Sequence, residues 1–237
     1  MATVEDAARA SGTDHLLRTV LLGLLRLQVI LALVIFLPSG SLHYWQGWLF
    51  WLVFFACVLV VTLYFVKHDP HLIENRMKAG PGAEQQRSQK IIQAFTGTLA
   101  AALVIVSGLD HRYGWSSVPT PIVLLGDALV VLGFAIVYQV FKENSFAAST
   151  IKVEAEQRVI STGPYAIVRH PMYVGGALML LATPLALGSF VALPIGVALT
   201  AAIVVRLLDE ERYLTTNLTG YDAYCREVKY RMLPIVW

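Results

Sequence analysis

Two short stretches in the last third of the chain carry more reactive groups than a loop or a helix end needs. The first runs from Gln157 to Gly176 and contains Gly163, Pro164 and Tyr165, then Arg169, His170, Pro171 and Tyr173, then Gly175 beside Gly176. Gly163-Pro164 predicts a turn. Pro171 after His170 predicts a helix start, where free amide donors favour a nearby anion. The glycine pair would let a second backbone or a ligand approach closely. The second stretch holds Arg206, Asp209, Glu210, Glu211, Arg212 and Tyr213. Arg206 and Glu210 are four apart and share a helix face. Taken alone, three consecutive carboxylates are explained equally well by a solvated helix end. Together the stretches offer both signs of charge, a guanidinium fork that grips carboxylates in two places, and aromatic faces on which a cation can rest.

The elements that must hold these groups follow from composition. Of the 237 residues, 57% are hydrophobic and only 14% charged, against about a quarter charged in soluble domains. Mean hydropathy is +0.63. A helix needs roughly 20 mostly apolar residues to cross a bilayer, because its backbone must bond to itself where water is absent. Apolar windows predict spans at about 17–37, 45–66, 91–109 and 120–141. The run 172–207 is too long for one crossing and is interrupted by Pro184, Gly188 and Pro194, which predicts a tight hairpin of two more. The expected architecture is an all-α, polytopic membrane bundle of about six spans, one domain over 1–237. Tyr44, Trp45, Trp48 and Trp51 look like an interfacial aromatic belt.

Basic residues fall in blocks. Lys67, Arg76, Lys78, Arg87 and Lys90 lie in one connection, Lys142, Lys152, Arg158 and Arg169 in another, and Arg206, Arg212, Arg226, Lys229 and Arg231 in the tail, whereas the alternate connections hold Arg112 alone. By the positive-inside rule both termini and the reactive stretches face the cytoplasm. A cleaved leader is not expected, since Glu5, Asp6 and Asp14 precede the first apolar run. The net charge of +2 is too small to imply a nucleic-acid partner. Cys57 and Cys225 do not make a disulfide framework. No His, Cys or carboxylate set has metal-site spacing, so no metal is expected. Arg26 within the first span and Asp127 within the fourth are read as packing or snorkelling residues that face other helices or the interface.

The spacing of these elements resembles the isoprenylcysteine carboxyl methyltransferase family of membrane enzymes. The residues that carry the likeness are Gly163, Tyr165, Arg169, His170, Pro171, Tyr173, Arg206, Glu210, Glu211, Tyr221, Tyr224 and Pro234, within a strongly similar region of about 157–237. The resemblance implies S-adenosylmethionine in a cytoplasmic pocket closed by the tail, and a lipophilic acceptor that reaches it from the bilayer. Carried over residue by residue, it places Gln157, Val159, Gly163, Tyr165, Arg169, His170, Pro171, Tyr173, Glu210 and Glu211 at the cofactor. Arg206 and Glu210 become the catalytic pair, with Arg206 on the acceptor carboxylate. Gln157 stands where eukaryotic members have a histidine, and can hydrogen-bond without carrying charge.

Two other readings compete. Arg169, His170, Pro171 and Tyr173 followed by a basic, tyrosine-rich tail are also similar to membrane sterol and steroid reductases that bind NADPH. No Gly-x-Gly-x-x-Gly turn accompanies them here. A non-catalytic transporter would place charge near the bilayer midplane in two related halves, and the clustered charges here lie at one end. His170 as a simple helix cap, and Tyr221 and Tyr224 as interface anchors, remain open, as does whether Asn144 and Ser145 line the pocket.

Overall fold

A computed structural model describes residues 4–77, 82, 84, 87–147 and 157–237, with side chains from His15 onward. Lys78 and Lys152, counted above among the basic residues, lie outside the described residues. The described chain is all helical: α1 (Val4–Ser39), α2 (Trp45–His68), α3 (Pro70–Met77), α4 (Arg87–Tyr113), α5 (Thr120–Glu143), α6 (Pro171–Ala186), α7 (Leu193–Asn217) and α8 (Tyr221–Glu227), with a 3-10 turn at Gly163–Ala166.

Six of these helices close a ring in the order α1, α2, α5, α6, α7, α4 and back to α1. Four of them, α1 from His15, α2, α4 and α5, are long and apolar enough to cross a membrane. The expected hairpin is present as α6 and α7, but neither arm is a simple span. At 16 residues α6 is about 24 Å long, shorter than a bilayer core of about 30 Å. Helix α7 has 25 residues and carries Arg206, Asp209 and Glu210 in its second half. The turn between them is made by Gly188 at φ +69°, with Gly188 N–H donating to Leu185 O (2.9 Å) and Ser189 N–H to Pro184 O (2.8 Å).

Small residues let α5 and α6 pack backbone to backbone, as in other membrane helix pairs. A Cβ on Gly175 would lie 2.8 Å from Gly133 O, and one on Gly126 would lie 2.5 Å from Ala186 N. The closeness that Gly175 permits is thus to a neighbouring helix. Tyr44, expected in an interfacial belt, is instead a core residue at 1% exposure; its hydroxyl donates to Leu187 O across the ring. Trp45 and Trp48 do face outward. Arg26 also faces outward, not toward other helices, which leaves snorkelling as its means of reaching polar surroundings. Asp127 is buried.

Two helices escape the sequence reading. Helix α3 sits in what reads as a loop, although Asp69 before Pro70 is a start signal: the Asp69 carboxylate accepts the Leu72 N–H at 3.1 Å. Helix α8 follows Gly220, whose φ of +86° ends the preceding turn.

Candidate functional site

At one end of the ring, the connection between α5 and α6 and the segment after α7 converge on a pocket. Its walls come from the C-terminus of α5, the 157–171 loop, the start of α6, the charged end of α7, and α8. Of the residues expected at a cofactor, Gln157, Val159, Tyr165, Arg169, His170, Pro171, Tyr173 and Glu210 line it. Gly163 and Glu211 do not, nor does Arg206.

Helix geometry explains how three consecutive carboxylates come to do three different things. Successive residues of α7 point about 100° apart. Asp209 turns toward α4, where Ser88 Oγ donates to Oδ2 at 2.9 Å and Gln89 Nε2 donates to the same oxygen. Glu210 turns into the pocket and accepts the Tyr173 hydroxyl. Glu211 turns toward the loop and tail, with Arg169 Nη1 at 3.0 Å, His170 Nε2 at 3.3 Å and Arg231 Nε at 2.6 Å. The helix end is therefore a junction of three contacts, and the solvated-end reading does not hold for it.

Glu211 works as a clamp. Burial pushes its carboxyl up, but hydrogen bonds from His170 and Arg231 and the charge of Arg169 outweigh that and hold it down at about 2. The loop and tail it joins are also tied through their backbones, Arg169 N–H to Tyr230 O and His170 N–H to Arg231 O, both 2.9 Å. Arg169 Nη2 adds a bond to Lys229 O at 3.3 Å. The tail thus braces the Arg169–His170 rim of the pocket.

His170 does more than cap. Its carbonyl receives the Tyr173 and Val174 N–H groups at 3.1 and 3.3 Å, as a helix-start residue should. Its buried ring also lies 3.4 Å from the Tyr221 hydroxyl. Gly163, at φ +55°, serves the turn: a Cβ there would meet the Glu143 side chain at 2.7 Å, and Thr162 Oγ1 donates to the same carboxylate at 2.7 Å.

Arg206 has a different carboxylate partner from the expected Glu210. Its Nη2 lies 2.9 Å from Glu84 Oε1, a contact between residues 122 apart in sequence. Both Arg206 and Glu210 interact with the Tyr173 hydroxyl, so that hydroxyl links the two through a third residue.

Several wall residues that the sequence left open acquire partners here. Tyr224 donates to the backbone Tyr165 O at 2.7 Å, and Asn144 Nδ2 donates to the Tyr165 hydroxyl at 2.9 Å, fixing that residue at its backbone and at the tip of its ring. Burial, aided by the Glu210 charge, pushes the Tyr165 hydroxyl up to about 12, and burial likewise raises Tyr221 and Tyr224. Tyr221, Tyr224 and Asn144 line the pocket, and Ser145 does not. Behind the wall, Arg76 of α3 lies over the Phe141 ring at 4.6 Å and donates to Ala147 O at 3.2 Å. In the sequence Arg76 counted only as one basic residue of a connection, because α3 itself was unseen.

The ring of apolar helices with a polar pocket at one end defines a polytopic helical membrane protein. Within that class, residues 121–219 match the model of the phospholipid methyltransferase family, so α5 through the end of α7 carry that family's pattern. The match begins well before the strongly similar region read from sequence and stops short of the tail. The chain is also similar to Delta(14)-sterol reductase TM7SF2 of Mus musculus, 34% identical over 91 residues, which are 37% of this chain and 22% of that protein. The chain therefore covers about a fifth of that relative's length.

Proposed function

We propose that the protein is an S-adenosylmethionine-dependent methyltransferase acting on a lipophilic acceptor, most simply at a carboxylate of an isoprenylcysteine-like molecule. The observation that carries this reading is the meeting of the Arg169–Tyr173 segment with the charged end of α7 around one pocket, inside the stretch that matches a methyltransferase family. The basic connections cluster at that end and argue for a cytoplasmic site with both termini on the same side.

The residues suit such a cofactor. Glu210 supplies a carboxylate for its positive groups. Arg169, whose Nε is buried without a hydrogen-bond partner among the described residues, supplies a donor for its carboxylate. Tyr221, Tyr224, Val159 and Leu218 supply an aromatic and apolar wall. The pocket volume is only about 100 Å³, below the roughly 300–1,000 Å³ of small-molecule sites, so a bound nucleoside would have to extend beyond it or widen it.

When bound, S-adenosylmethionine offers a methyl group on a sulfonium; the acceptor oxygen gains that methyl while the S–C electron pair stays on sulfur. A carboxylate acceptor is already ionised at neutral pH, so no side chain has to remove a proton, and orientation is what the protein contributes. Arg206 is our assignment for the acceptor carboxylate: it stands just behind the pocket wall, joined to Glu210 through the Tyr173 hydroxyl, and a guanidinium matches a carboxylate as a planar fork. The Tyr173 hydroxyl keeps Glu210 turned toward the pocket.

The competing reading is NADPH-dependent reduction, which the short sterol reductase likeness does not favour over methyl transfer. Thermal melting of the purified protein separates them, because a ligand that binds only the folded state raises the melting temperature. S-adenosylhomocysteine should raise it and NADPH should not; the reverse result would overturn the methyltransferase reading. Labelled methyl transfer in membranes, with release of the label by mild base, then identifies an ester.

A further inference from the structure

Residues 231–237 form a closed loop at the pocket end of the ring. The N–H groups of Arg231, Met232 and Leu233 all donate to Trp237 O, at 2.9, 3.2 and 3.2 Å, and Trp237 N–H returns to Leu233 O at 3.0 Å. One side of the loop is packed: Met232 and Trp237 sit against Tyr173, Ala177 and Leu207, with Ile203, Val204 and Leu208 of α7 alongside. Those α7 residues belong to its last apolar turns, next to Arg206. The loop therefore lies where α7 passes from apolar to charged.

Its other side is apolar and uncovered. Leu233, Ile235 and Val236 are 53%, 86% and 76% exposed. Ile235 is also the one non-glycine residue with positive φ among those described, at 71°, a conformation that a β-branched side chain adopts only when its surroundings compel it. Nearby in the chain, Arg226 and Lys229 are exposed cations. Apolar side chains at the level of a span's end, flanked by basic residues, fit the boundary between acyl chains and anionic headgroups.

We propose that the 231–237 loop is an interfacial anchor that inserts Leu233, Ile235 and Val236 into the leaflet on the pocket side. The anchor is continuous with the pocket rim, since Tyr230 and Arg231 bond to the backbone of Arg169 and His170 and Arg231 holds Glu211. Contact with the bilayer therefore steadies the rim. This proposal rests on membrane embedding and not on the methyl-transfer reading, so each can fail without the other.

The test is depth measurement in lipid nanodiscs containing anionic phospholipid. A fluorophore is placed at Ile235→Cys in a Cys57→Ser, Cys225→Ala background, with Asp222→Cys on α8 as the control. The Ile235 label should be quenched severalfold more by a lipid carrying a nitroxide near the headgroup than by aqueous iodide, and the Asp222 label should show the opposite. Equal or greater quenching by iodide at position 235 overturns the anchor, and so does shielding from both quenchers, which would mean that protein covers the loop. Should the cysteine-free background fold poorly, the Leu233→Ser, Ile235→Ser, Val236→Ser variant gives a second measurement. The melting temperature of the unmodified protein should be higher in nanodiscs than in detergent, and the triple variant should lose part of that difference. An undiminished difference overturns the proposal.

Discussion

Asp110 and Glu210, at opposite ends of the ring, meet opposite surroundings. At the end away from the pocket, Asp110 is fully buried and filled by donors: Ser116 N–H at 2.7 Å, Ser116 Oγ at 2.6 Å and Ser189 Oγ at 2.5 Å. Those bonds join α4, the loop after it and the hairpin turn, while Tyr44 stacks on His111 at 4.2 Å between ring centroids. At the pocket end, Asp209 and Glu211 are tied down in a similar manner, but Glu210 keeps part of its carboxylate facing a cavity and Arg169 keeps an unused donor. A saturated carboxylate stabilises; an incompletely paired one is available to a ligand.

This contrast can be broken most directly at Glu210. Glu210→Gln should lower methyl transfer by roughly 100-fold or more, the usual loss for a charge aimed at the reacting groups, with the melting temperature nearly unchanged; a normal rate would remove Glu210 from the site. Asp110→Ala should do the reverse. Leaving three donors without their acceptor should cost about 3 kcal/mol, read as a lower melting temperature in detergent, with S-adenosylhomocysteine affinity per folded molecule preserved.

Glu211 lies between these extremes. Glu211→Gln should weaken S-adenosylhomocysteine by about tenfold, the equivalent of 1.4 kcal/mol, through a loosened rim, measured by calorimetry. The same clamp has an acid limit. Its folded carboxyl is depressed from 4.5 to about 2, so its stabilisation is complete above pH 4.5 and is lost as pH falls toward 2. Melting curves over that window should show a component that Glu211→Gln lacks. The smallest effect is expected at Tyr224→Phe, which deletes one hydrogen bond to Tyr165 O and should cost about 1 kcal/mol.

How much of this was legible depended on whether the signal was local. Apolar runs located α2 and α5 within a few residues, because span length is written in consecutive side chains. Pro184, Gly188 and Pro194 announced the hairpin, and His170-Pro171 announced the start of α6. The pairing of Arg206 with Glu84 joins segments with no shared periodicity, so the i to i+4 rule pointed to Glu210 instead. The same holds for Asp110, whose partner Ser189 is 79 residues away. Glu210 and Glu211 are identical side chains in neighbouring positions; only the surfaces facing them make one a pocket wall and the other a clamp.

The 16 residues of α6 have one more consequence. A helix several ångströms shorter than the hydrocarbon layer cannot reach both headgroup planes, so with its far end at one of them, its first turn, with Tyr173, would lie below the other. An acceptor with a long alkyl chain could then present its polar end while the chain stays in oil. Lifting sixteen methylenes into water would cost roughly 13 kcal/mol at about 0.8 kcal/mol each, a cost that a sunken floor would spare a long-chain acceptor.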